Sequence, residues 1–67
     1  MKRFENMTKA NSVDPDKVRF YAEDDMGQYW IDINIKTRRY VDGTFDVGTA
    51  PQAMMLVQAL EIIDAEV

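Results

Sequence analysis

Cysteine and histidine are both absent from these 67 residues. Without cysteine there is no disulfide framework and no thiolate to act as ligand or nucleophile. Without histidine the chain lacks the commonest metal ligand and the usual general base near neutral pH. No glycine-rich phosphate loop occurs, and Thr8, Ser12, Thr37, Thr44 and Thr49 have no histidine to activate them. Paired-carboxylate catalysis needs two acids in a cleft, one of them buried, which a single thin layer does not readily build. These absences argue against an enzyme, and no catalytic, cofactor-binding or metal-ligating residues are expected. A basic start, Met1-Lys2-Arg3, is followed by no apolar run of signal-peptide or membrane-span length. The expectation is a cytoplasmic chain without membrane contact.

Bases are missing from the last part of the chain. From Tyr40 onward there are five acids, Asp42, Asp46, Glu61, Asp64 and Glu66, and no lysine or arginine. All eight bases lie between Lys2 and Arg39, where seven acids accompany them, and the whole chain sums to −4. A one-signed region can steer a basic partner, and net acidity disfavours nonspecific contact with nucleic acid. The alternative is a solvated helix face. Small size adds a second pressure. A domain of this length buries only about 60% of the surface its unfolded chain exposes, so association is the most available source of extra stability.

Against these absences stands one clear pattern. Tyr29, Ile31, Ile33 and Ile35 alternate with Trp30, Asp32, Asn34 and Lys36, and Val18, Phe20 and Ala22 alternate with polar residues just before. Asp14-Pro15-Asp16 could instead open a helix that Gly27 stops. Pairing the two runs favours strands. A loop over Asp24-Asp25-Met26-Gly27 sets Ala22 against Tyr29, Phe20 against Ile31 and Val18 against Ile33 on one face. The other face then matches Tyr21 with Trp30, Arg19 with Asp32, and Lys17 with Asn34. The acids Glu23, Asp24 and Asp25 read mainly as turn chemistry, with Gly27 supplying a positive φ. They lack the ligand spacing of a calcium loop.

The fold expected is α+β: a three-stranded antiparallel sheet over residues 16–47, packed on a C-terminal helix over 50–66. Residues 1–12 form a short helix or arm, since Phe4, Met7 and Ala10 recur at a spacing of three. Asp42-Gly43 marks a turn or bulge in a third strand within 38–47. Thr49 and Gln52 match a capping box, with Pro51 in the first turn. The helix stripe Ala53, Leu56, Val57, Leu60 and Ile63 should face the sheet, with Val67 extending it. That leaves Met54, Met55, Ala59 and Ile62 as a surplus apolar flank, which predicts self-association as a homodimer. Charged residues in place of Met55 and Ile62 should leave the fold intact and give a monomer.

One surface stands out as a partner site. The polar face of the hairpin carries Tyr21 and Trp30 beside Arg19 and Lys17, with Arg38 and Arg39 at one end. Trp, Tyr and Arg dominate protein–protein hot spots. Exposed aromatics beside arginines also suit single-stranded nucleic acid, although overall acidity weighs against it. The bland alternative is that the N-terminal segment covers Trp30 through Phe4 and Met7. A third reading uses the acids Asp42, Asp46, Glu61, Asp64 and Glu66, with the turn acids Glu23, Asp24 and Asp25, to imitate nucleic-acid charge in the groove of a basic protein. Small inhibitors encoded by phages or mobile elements have this general character. The expectation is a small, acidic, non-enzymatic module whose partner is another protein; a nucleic-acid binder and an assembly subunit are the alternatives.

Overall fold

Strict alternation from Lys17 to Asn34 builds the centre of the molecule. A computed structural model describes residues 4–11 and 14–66. It contains strands β1 (Glu5–Asn11), β2 (Lys17–Asp24), β3 (Gly27–Asn34) and β4 (Arg39–Gly43), followed by helix α1 (Ala50–Ala65). The strands form one antiparallel sheet in the order β1-β2-β3-β4. The class is therefore α+β, with a C-terminal helix on an antiparallel sheet.

The β2–β3 hairpin adopts the register that side-chain matching predicts. Phe20 pairs with Ile31, Val18 with Ile33 and Ala22 with Tyr29, while Tyr21 pairs with Trp30 and Arg19 with Asp32. The loop is shorter than the four residues expected: Asp24 still pairs with Gly27, the chain reverses through Asp25 and Met26, and Gly27 takes a φ of 148°. Asp24 Oδ1 accepts the Met26 N–H at 2.7 Å and the Tyr29 hydroxyl at 2.8 Å. That carboxylate bond, with desolvation second, raises the pKa of Tyr29. Asp14-Pro15-Asp16 is a turn and not a helix start: Asp14 Oδ1 accepts the Asp16 N–H at 2.9 Å, and β2 begins directly after.

Four strands replace the expected three, because the N-terminal segment is a strand and not a helix. Its pairing with β2 shifts between Glu5 and Thr8, and Asn6 adopts a φ of 53°. The extra residue of such a bulge reverses the facing of every side chain beyond it. Phe4 and Met7, an odd number of positions apart, therefore both reach the core. A spacing of three across a bulge imitates a helical spacing, which is the reason for the misreading. Ala10, opposite Arg19, faces the other way. Residues 1–3 and 12 of the expected arm lie outside the described residues, as does Val67.

β4 is continuous but bulged: Ile33 pairs with Tyr40 and Asp32 with Asp42, so Val41 is the extra residue. Asp42-Gly43 is not a hairpin turn. The reversal occurs over residues 35–38, where Asn34 Oδ1 accepts the Lys36 and Thr37 N–H groups at 2.9 and 3.1 Å. Gly43 serves a different purpose. A Cβ there would lie 2.6 Å from both the Trp30 carbonyl oxygen and the Tyr40 hydroxyl. That hydroxyl donates to the Phe45 carbonyl at 2.7 Å. Burial foremost, with Asp42 and Asp46 adding to it, raises the pKa of Tyr40.

Helix α1 packs on the sheet with a different face from the one its stripe predicts. Met55 and Ala59 have no exposure and lie with the equally enclosed Phe20, Ile31 and Ile33. Leu56, Leu60 and Ile63 pack partly against this core, whereas Val57 is 57% exposed and Ala53 is also exposed. A helix apolar around most of its girth does not choose its own buried side. Polar partners help to choose it. The buried Gln58 accepts the Phe4 N–H at 3.0 Å and donates to the Phe4 carbonyl at 2.8 Å. This side-chain amide binds the N-terminal backbone as a neighbouring strand would. Phe4 then joins Tyr29 and Phe45 in an aromatic cluster with centroids 4.7–5.7 Å apart. The capping box is not formed: the Thr49 hydroxyl donates to the Asp46 carbonyl at 2.7 Å, and Gln52 is buried.

Candidate protein-binding face

The alternation that buries Phe20 and Ile31 sends their neighbours to the opposite side of the sheet, which α1 does not cover. There β2 presents Arg19 and Tyr21, β3 presents Trp30 and Asp32, and β4 adds Arg39 and Asp42 opposite Asn34 and Asp32. The edge strand β1 contributes Thr8 opposite Tyr21. It runs beside β2 and not across Trp30, so its described residues do not form the cover that was the alternative to a partner site.

Arg19 organises the centre of this face. Its Nε donates to Asp32 Oδ1 at 2.7 Å and a terminal nitrogen donates to Asp32 Oδ2 at 3.0 Å, a two-pronged pair. Its guanidinium carbon stands 4.2 Å from the centre of the Trp30 ring. Asp32 foremost, then Tyr21, raise the pKa of Arg19, so it stays cationic. Trp30 is half-buried beneath this clamp, and Tyr21 is 46% exposed beside it. Thr44 fixes the backbone below: its hydroxyl accepts the Trp30 N–H at 3.0 Å and its own N–H donates to the Trp30 carbonyl at 2.9 Å.

The eight residues predicted to bind a partner divide into two groups. Tyr21, Trp30, Arg39 and Asp42 share the open face. The others lie off it: Glu61 and Asp64 on α1, Asp46 in the loop before α1, and Arg38 in the turn between β3 and β4. Arg38 donates to Asp64 at 2.9 Å, and Lys9 pairs with Glu66 at the helix end. Folding therefore sets two acids of the base-free C-terminal region against bases from the first part of the chain. Of the four residues assigned to self-association, Met55 and Ala59 lie wholly inside this chain's own core, and Met54 and Ile62 are partly buried around it. A charge at Met55 would enter that core.

Sequence reasoning passed over Thr44, Gln58 and Asn6. Thr44 carried a signal, since it follows the Asp42-Gly43 pair. Gln58 stands out as one of the few polar residues of an apolar helix, but nothing local points to the Phe4 backbone as its partner. Asn6, whose amide donates to Glu23, depends on a bulge that no local pattern announces. Among the described residues no cluster of three or more side chains could hold a metal ion, and no helix is long and apolar enough to cross a membrane. Comparison with models of protein families, with curated proteins and with solved structures finds no match.

Proposed function

We propose that the chain is a non-enzymatic binding module whose partner is a protein docked on the open sheet face over Tyr21 and Trp30. The observation that carries this reading is the Arg19 clamp: a tryptophan, a tyrosine and an arginine held in fixed geometry on a face the helix leaves uncovered. Rigid aromatics and arginine are the residue types that concentrate binding energy at protein interfaces.

Charge favours a protein over a nucleic acid as the partner. On this face Lys17, Arg19 and Arg39 are outnumbered by Glu5, Glu23, Asp32 and Asp42. Nucleic-acid affinity derives mainly from cations that neutralise phosphates, and here Arg19 is already committed to Asp32. An inhibitor imitating nucleic-acid charge, as phages and mobile elements encode, would instead use Asp46, Glu61 and Asp64. The pairs Arg38–Asp64 and Lys9–Glu66 leave that reading less support than the sheet face has.

The test is affinity capture from lysate of the source cells with the tagged chain and with a Tyr21→Ala/Trp30→Ala variant, each with and without nuclease. A stoichiometric protein that survives nuclease and is lost with the variant is the expected outcome. A partner set that disappears with nuclease, or one retained undiminished by the variant, overturns the proposal.

A further inference from the structure

The hairpin end of the open face contains a shallow hollow of about 260 Å³, lined by Asn6, Tyr21, Ala22, Glu23, Gln28 and Tyr29. It is smaller than the roughly 300–1,000 Å³ typical of small-molecule pockets, and on that scale it suits one side chain better than a whole ligand. We infer that this hollow receives a basic side chain, arginine foremost, from the docked protein. The inference rests on the docking face proposed above and names the chemistry of its partner.

The molecule supplies its own precedent. On β3 an aromatic residue and an acid two positions on, Trp30 and Asp32, share the open face, and Arg19 lies across both. On β2 the same order recurs one pair nearer the turn: Tyr21 and Glu23, again two apart and on the same face. Among the described residues that line the hollow none is basic. Glu23 accepts, among the described residues, one hydrogen bond, from the Asn6 amide, and an ionised carboxylate offers about four acceptor positions. Gln28 stands directly opposite Glu23 and brings a side-chain carbonyl to the same rim. A guanidinium seated there would lie on the Tyr21 ring and donate to Glu23, as Arg19 does to Asp32 beside Trp30.

The site can be probed without the partner. The protein is titrated with N-acetyl-L-arginine amide and, separately, with the uncharged N-acetyl-L-norleucine amide, following backbone amide shifts by NMR. Saturable shifts at Asn6, Tyr21, Glu23 and Gln28 with the arginine probe are expected. Loss of a charge-assisted hydrogen bond should weaken binding by about tenfold in Glu23→Gln. Equal shifts with norleucine, shifts centred elsewhere, no shifts, or an unchanged affinity in Glu23→Gln would each overturn the assignment. Such a failure leaves docking over Tyr21 and Trp30 standing, because capture with the Tyr21→Ala/Trp30→Ala variant reads that face independently of Glu23.

Discussion

The two faces of the sheet are made by the same strands and are held together by different forces. Under α1, Phe20, Ile31 and Ile33 have no exposure and pack with Met55 and Ala59. Each such large apolar side chain stabilises the fold by about 1.5–3 kcal/mol through burial alone. On the open side, the neighbours of those residues form the Arg19–Asp32–Trp30 cluster. Partly exposed ion pairs and cation–π contacts contribute roughly 0–1 kcal/mol each. One face therefore specifies the fold, and the other positions side chains at little benefit to stability. The half-exposed tryptophan and tyrosine of the second face are the residues on which the proposed partner contact rests.

The strongest way to break this comparison is to place a charge on the covered face. Met55→Glu puts a carboxylate where no solvent reaches, at a cost of several kcal/mol. A domain of this size has a total stability of only about 3–5 kcal/mol, so the variant should be unfolded by circular dichroism at 25 °C. A folded Met55→Glu protein would mean that this residue faces outward and that the flank Met54, Met55, Ala59 and Ile62 is available for self-association after all.

A smaller effect tests how the edge of the covered layer is closed. Gln58→Ala removes both hydrogen bonds to the Phe4 backbone. Leaving those buried groups unsatisfied should cost about 1–3 kcal/mol. Urea denaturation would measure the loss, and amide exchange should show it concentrated in β1. A loss spread evenly over the sheet would mean that Gln58 does not anchor the N-terminal strand.

The parts legible in the sequence share a physical cause. The register of the β2–β3 hairpin was readable because period-two alternation on both strands admits one register that satisfies both faces, although its loop is two residues and not four. The helix was readable in extent, as Pro51 and the apolar run through Ile63 determine where it can lie. Its buried side was not, because Met54, Met55, Leu56, Val57 and Ala59 leave no polar stripe to exclude a face. The N-terminal strand was misread because its bulge gives Phe4 and Met7 a helical spacing. The candidate site follows the same division. Tyr21, Trp30, Arg19 and Asp32 lie in the legible hairpin, and their convergence could be anticipated. Arg38, Asp64 and Glu66 acquire their partners only through long-range packing, which no local pattern encodes.

The smallest expected effect lies on the open face and sharpens the contrast from the other side. Arg19→Ala removes the guanidinium from Trp30 and from Asp32, and leaves Asp32 directly opposite Asp42 on β4. Two like charges paired across strands then repel without a cation between them, which adds to the lost contact. Because Arg19 is partly solvated, the combined loss should still be the smallest of the three by denaturant titration. Trp30 fluorescence should shift to the red as the ring loses its cover, while the core register of β2 and β3 remains. A loss as large as that in Met55→Glu would mean that the clamp is a structural element of the fold. In that case the aromatics of the open face would no longer stand as evidence for a partner.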